Sequence, residues 1–265
     1  ASAGFRDYFL VKFSADGELL WQRQYGGPEL DAAYSIDIDS AGNALIGGFT
    51  RNSLDGVNQG ASDAFVAKYS SEGDRIWVRQ IGTSKTEGVS GLAIDSNDNI
   101  AIGGRTTGSL GGAYLGTVDT FLAQFSSDGE LLWSRQLAST KFERLYDLAV
   151  DVADDILVVG HTKGVLGTDI GEREAFPDDP YNAEDGFVAK YAPDGTLVWI
   201  RQFGSSGLEG IFGVAADSDQ DVIVVGTTTG SAAAKNEGLQ DALLVKFGPY
   251  TDAPDTDAPD TDAPD

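Results

Sequence analysis

One segment returns four times. "GELLWQRQYG" begins at Gly17, "GDRIWVRQIG" at Gly73, "GELLWSRQLA" at Gly129 and "GTLVWIRQFG" at Gly195. The tryptophans Trp21, Trp77, Trp133 and Trp199 are spaced by 56, 56 and 66 residues, and Asp39, Asp95, Asp151 and Asp217 repeat those spacings. So do the acidic residues Asp31, Glu87, Glu143 and Glu209. Asp7, Asp63, Asp119, Asp185 and Asp241 make a five-membered series. A period of this length is the signature of stacked supersecondary units, and it decides the fold before any single residue does. The unit is 56 residues long, and its third copy carries ten more.

Each unit predicts four short strands. The first is "YSIDID", "GLAID", "LYDLAVD" or "IFGVAAD". It alternates with period two: Tyr34, Ile36 and Ile38 share one side, and small residues such as Gly91, Ala93, Gly213 and Ala215 fall on the other. Small side chains suit an innermost, crowded strand. The second, such as "NALIGG" or "DILVVG", is apolar on both faces and so predicts burial on both. The third is "DYFLVKF" and its four equivalents, with Lys12 opposite Phe9, Val11 and Phe13. The fourth is the Trp-x-Arg-Gln strand, with Trp21 and Arg23 on one face and Gln22 and Gln24 on the other. "ADG", "SEG", "SDG" and "PDG" are hairpin punctuation before it. "DSAGN", "DSNDN", "DVADD" and "DSDQD" link the first two strands. No helical periodicity is evident.

Four antiparallel strands repeated radially form a β-propeller, in which each sheet buries its two apolar faces against its neighbours. The fold class is therefore all-β, a propeller of four-stranded antiparallel blades over residues 1–250. The motifs make about four blades, with N- and C-terminal strands available for closure. Seventeen strands are expected where four blades need sixteen, so "DYFLVKF" and "DALLVKF" compete for one position; an open stack is the alternative. The four Trp residues are expected to fill the gaps between blades, and Arg either covers the ring or pairs with a carboxylate. Residues 251–265, "TDAPDTDAPDTDAPD", have no side chain able to build a core, and predict a disordered, extended linker.

The stretch "DAFVAKYSSEGDRIWVRQIG…GLAIDSNDNIAIGGRTT" resembles the SBBP-type β-propeller repeat of bacterial surface and secreted proteins. The resemblance runs from Asp7 to Phe247. It implies a scaffold or binding surface, with no catalytic motif.

Composition narrows the partners. The 42 acidic residues against 18 basic ones give a formal net charge of −24. Such a surface repels phosphate backbones and anionic headgroups, so nucleic acid is not expected as a partner. No apolar run is long enough to span a bilayer, so membrane insertion is not expected either. There is no Cys and no Met. A processed or partial chain is therefore expected, with Ala1 not the translated start. The expected setting is extracytoplasmic, secreted or on a bacterial cell surface, and a monomer is expected.

What every unit shares reads as architecture; what one unit owns is the better functional candidate. The shared turns place Asp95, Asn97 and Asn99, and Asp217, Asp219 and Asp221, at positions 1, 3 and 5, a spacing that can gather oxygens around Ca²⁺. The Gly and Glu that complete an EF-hand loop are missing, and the alternative is a hairpin turn closed by its own Asp and Asn side chains. The unshared feature is the long loop 163–184, "KGVLGTDIGEREAFPDDPYNAE". Its Glu172, Arg173, Glu174, Phe176, Asp178, Asp179 and Tyr181 suit stacking on a sugar or gripping a basic peptide. His161, the sole histidine, lacks the nucleophile a hydrolytic site would need, and is read as structural. The function expected is a non-catalytic binding or display scaffold for a protein or glycan. The alternatives are a carbohydrate-active propeller using a carboxylate pair, and a purely structural spacer.

Overall fold

The computed structural model describes residues 4–166, 184–205, 207–231 and 238–248. Within them the chain is all β, with seventeen strands in five antiparallel sheets and no helix. The first sheet has two strands, β1 (Tyr8–Phe13) and β2 (Leu19–Tyr25). The second runs β3 (Asp31–Ile38), β4 (Ala44–Thr50), β5 (Asp63–Tyr69) and β6 (Arg75–Ile81). The third runs β7 (Glu87–Ile94), β8 (Ile100–Thr106), β9 (Asp119–Phe125) and β10 (Leu131–Leu137). The fourth runs β11 (Glu143–Val150), β12 (Ile156–Thr162), β13 (Asp185–Tyr191) and β14 (Leu197–Phe203). The last has three strands, β15 (Glu209–Ala216), β16 (Val222–Thr228) and β17 (Asp241–Phe247).

Neighbours in sequence are neighbours in each sheet, so every blade-like unit is a meander closed by tight turns. The third-to-fourth-strand turn is closed by the amide of Gly17 donating to the Ser14 carbonyl, and Gly73, Gly129 and Gly195 repeat the bond. These four glycines have φ between 79° and 83°, the left-handed region that disfavours a Cβ. The first-to-second-strand turn places Gly42, Asp98, Asp154 and Gln220 at one position, where the last three also take positive φ. Asp tolerates this conformation better than most residues.

Consecutive sheets pack face to face, and the core lies between them as four clusters. Tyr8 and Leu10 of the first sheet meet Ile46, Phe65 and Tyr69 of the second. Leu45 and Val66 of the second meet Leu92, Ile102 and Phe121 of the third. Leu122 meets Leu145, Leu148 and Phe187. Leu157, Val159, Val188 and Trp199 meet Ile211, Val224 and Leu243. Each such side chain contributes about 1.5–3 kcal/mol when fully buried. Burial of β4, β8 and β12 on both faces is as the unbroken apolar runs predict. The first strands adjoin one another from sheet to sheet, β3 to β7 to β11 to β15. A repeated backbone bond laces the sheets: Asp31, Glu87, Glu143 and Glu209 donate their amides to the carbonyls of Arg6, Ser62, Val118 and Glu184.

The two strand sets at the ends do not merge. β1–β2 and β15–β17 stand as separate sheets, so β1 and β17 each keep the third-strand position of their own sheet.

Candidate functional site

The shared polar residues are occupied by architecture. Trp21 donates its indole N–H to the Ser71 carbonyl at 3.0 Å, Trp77 to Ser127 at 3.3 Å and Trp133 to Pro193 at 2.8 Å. In every case the acceptor lies in the third-to-fourth-strand turn of the next sheet. Arg79 covers the Trp77 ring at 5.5 Å and donates to the Gly129 and Asp128 carbonyls of that turn. Arg135 does the same over Trp133, binding Gly195 and Asp194. Ring cover is seen for Arg23, Arg79 and Arg135, their hydrogen bonds go to backbone carbonyls, and Arg79 also lies 3.9 Å from the Asp55 carboxylate, so both roles expected for Arg are present. Trp-x-Arg is a clamp on the following sheet. The Gln serves its own sheet: Gln24, Gln80, Gln136 and Gln202 donate to Asp7, Asp63, Asp119 and Asp185 at 2.6–2.9 Å.

The other repeated carboxylates are equally engaged. Glu87 is buried and accepts from the Thr83 amide, the Thr83 hydroxyl and Thr106. Glu143 and Glu209 hold Ser139 and Thr162, and Ser205 and Thr228, in the same way. Asp31 holds Gly27, Thr50 and Asn52.

The first-to-second-strand turns bind their own backbone. Asp95 accepts from the Asn97 and Asn99 amides, the Asn99 side chain and Gln124. Asp217 accepts from the Asp219 and Asp221 amides at 2.9 and 3.0 Å. Lys246 of β17 then bridges Asp217 and Asp221 at 2.8 and 2.7 Å. Lys190 sits likewise between Asp151 and Asp155, and Lys68 against Asp39. Burial opposes the charge on Asp39, but bonds from Lys68 and Asn43 outweigh it and hold its carboxyl below the usual range. For Asp217 the Lys246 bond is the main cause of a downward shift. Among the described residues no three acidic or histidine side chains converge as a metal site. The turns also touch: Ser40 donates its amide and hydroxyl to Asp98 of the next turn, and Ser96 to Asp154. The third link would join Val152 to Gln220, which lack those groups.

The unshared residues lie around β12. His161 is buried at 6% exposure, stacks on Phe142 at 5.7 Å and meets Tyr146 edge-on at 5.3 Å. Its Nδ1 lies 3.5 Å from Glu184, which also pairs with Lys163 at 3.3 Å. Burial pushes the imidazole pKa below its ordinary value, against the pull of Glu184. Arg144 covers Tyr146 at 4.8 Å, and Phe212 packs edge-on against the same ring. This cluster is the packed base from which the long loop springs. Glu172, Arg173, Glu174, Phe176, Asp178, Asp179 and Tyr181 lie outside the described residues. On the same loop side, a groove of about 770 Å³ is lined by Thr83, Lys85, Thr107, Ser109 and Tyr114. A smaller one, about 560 Å³, lies one repeat earlier between Pro28, Arg51, Leu54 and Arg75.

No family model matches the chain. It is similar to Regulatory protein FlaEY of Caulobacter vibrioides, 26% identical over 165 residues, covering 56% of this chain and 17% of that protein. It is also similar to the Uncharacterized WD repeat-containing protein L264 of Acanthamoeba polyphaga mimivirus, 20% identical over 237 residues, covering 73% of this chain and 17% of that protein. The chain therefore spans under a fifth of either relative. Among solved structures, a Bacteroides caccae protein of unknown function aligns with TM-score 0.46 at 12% identity, covering 92% of this chain and 73% of that one.

Proposed function

We propose that the chain is a non-catalytic binding or display scaffold of the SBBP-type propeller kind, about four blades in size and acting outside the cytoplasm. The observation that supports it most is the division between repeated and unrepeated residues. The repeated Trp, Arg, Gln, Asp and Glu are bonded to one another or to backbone, which leaves variable loops on a rigid frame as the adaptable surface. The relative named a WD repeat-containing protein agrees with a propeller scaffold. The binding face is the one carrying the second-to-third-strand loops, where the two grooves open and loop 163–184 is rooted on His161 and Glu184. A protein or glycan is the expected ligand.

The test removes residues 164–183 and probes both chains on a printed glycan panel and on whole bacterial cells. Binding by the parent that is lost in the shortened chain, at unchanged melting temperature, supports the proposal. Equal binding by both overturns the role of the loop, and turnover of a glycan by the parent overturns the non-catalytic reading. Ca²⁺ is tested separately by thermal unfolding against chelator. A Ca²⁺-specific rise that Asp95→Ala and Asp217→Ala reduce would place the cation at these turns, where it must compete with Lys246 at Asp217 and with Gln124 at Asp95.

A further inference from the structure

Two arginines on the loop side depart from the repeat. Arg144 stands where other units have Ala32, Gly88 and Gly210, and Arg105 where they have Phe49, His161 and Thr227. A Cβ built on Gly88 would lie 3.3 Å from the Phe49 Cβ. One repeat later these two places carry Arg144 and Arg105, so the two side chains start next to each other across the gap between the third and fourth sheets. Both of these sheets have a packed sheet on either side, and both arginines are nevertheless exposed.

Neither arginine has a task like that of the repeated ones. Arg23, Arg79 and Arg135 donate to turn carbonyls, whereas the guanidinium N–H groups of Arg105 and Arg144 have no acceptor among the described residues. Arg144 lies over the Tyr146 ring at 4.8 Å. Lys68, Arg79, Lys163, Lys190 and Lys246 all pair with carboxylates, and among the described residues Arg105 and Arg144 pair with none. Glu184 is engaged by Lys163 and His161. Like charges side by side repel, and an anion between them relieves that repulsion.

The groove of about 770 Å³ opens near this pair: Thr107 of its lining follows Arg105 by two residues, about 7 Å along the chain. Its size is that of a ligand pocket, and its lining has no carboxylate. Its side chains are hydroxyls, the Lys85 ammonium and the Tyr114 ring. Tyr114 is Asn58 one unit earlier, and its hydroxyl donates to the Thr117 carbonyl at 2.7 Å, which holds the ring in place. We infer that Arg105 and Arg144 bind the acidic group of a glycan, a uronate or a sulfate ester, whose sugar rings run through the groove against Tyr114 and Lys85. Arginine's planar fork matches the paired oxygens of either group. A tyrosine ring, apolar in body and polar at its tip, together with hydroxyl donors suits a sugar ring and its oxygens. This assignment rests on the reading of the loop side as the binding face, and it names the class of ligand.

Isothermal titration calorimetry on the full chain tests it with oligogalacturonate and a sulfated heparin oligosaccharide, each beside its neutral form, the methyl ester and the desulfated sugar. A polyglutamate peptide is the acidic probe without sugar rings. The expected result is binding of an acidic oligosaccharide, with its neutral form bound at least about tenfold more weakly. Arg105→Gln and Arg144→Gln each weaken it by about tenfold or more, the range for a hydrogen bond to a charged group, at unchanged melting temperature. Tyr114→Ala weakens the sugar and leaves polyglutamate unaffected. Which of the two oligosaccharides binds identifies the acidic group. No binding of either overturns the inference, as does equal binding of the neutral forms or full affinity in Arg105→Gln. Polyglutamate bound as tightly as the sugars, with Tyr114→Ala silent, overturns it in favour of an acidic peptide. Binding that is lost on removing 164–183 but indifferent to Arg105 overturns this site and leaves the binding face standing, so the two readings fail separately.

Discussion

The middle sheets and the end sheets carry the same motifs and live in different surroundings. Phe65 on β5 is fully buried, while Phe9, at the same position of the motif on β1, is 72% exposed. The Gly129 turn lies under Trp77, and the Gly17 turn lies in the open. A repeat sequence therefore does not carry its own stability. Each unit is completed by its neighbour, as in other one-dimensional arrays. Trp-x-Arg on one sheet has meaning only where a following turn receives it.

The largest test of this contrast is a matched pair of deletions. Phe65→Ala should cost about 4 kcal/mol, the range for emptying a fully buried aromatic site. Phe9→Ala should cost under about 1 kcal/mol in a lone chain, as for exposed positions. Urea unfolding of both variants measures the difference, and equal losses would mean that neighbouring sheets do not set stability.

A smaller effect concerns His161. Its folded pKa lies below the ordinary value of 6.5 because it is buried among Phe142, Tyr146 and Lys163. As pH falls, the unfolded chain takes up this proton first, so stability drops as pH passes below 6.5 and levels off below the folded pKa. It is the sole histidine, so His161→Phe, which copies Phe49 two units earlier in motif, should flatten that part of the stability–pH curve. Chemical denaturation at a series of pH values reads the slope. A slope unchanged in the variant would assign it to carboxylates instead.

The smallest effect rebuilds a missing link. Ser40–Asp98 and Ser96–Asp154 tie successive turns, but Val152 and Gln220 break the series. Val152→Ser with Gln220→Asp should add about 1 kcal/mol, the net value of a typical hydrogen bond. Gln220 already has φ of 67°, so Asp enters a backbone like that of Asp98 and Asp154. No gain in melting temperature would mean that the fourth and fifth sheets are spaced differently from the others.

Much of the fold was legible because the period carries it. The second-strand segments "NALIGG" and "DILVVG" fall on β4 and β12, and the third-strand segments "DYFLVKF" and "DALLVKF" on β1 and β17. The expected innermost first strand and doubly buried second strand follow from small residues and unbroken apolar runs. What local pattern could not show was the partner across a sheet gap. Trp21 was expected between blades, but its target, the Ser71 carbonyl 50 residues later, is set by stacking and not by alternation. The pairing of Asp217 with Lys246 was missed for the same reason, although a lysine recurs on β5, β13 and β17 in phase with the turn Asp. A shared period between two charged series was the available signal. The candidate residues from Glu172 to Tyr181 belong to no repeat, so symmetry gave them no second copy to be read against.

The central claim is that each Trp-x-Arg strand holds the turn of the next sheet. Amide hydrogen exchange of Trp77→Ala tests it most directly. The account predicts that protection falls in the turn Ser126–Glu130, while the turn Ser70–Asp74 beside the mutated strand keeps its parent rate. Loss confined to Ser70–Asp74, or no change at Ser126–Glu130, would contradict it.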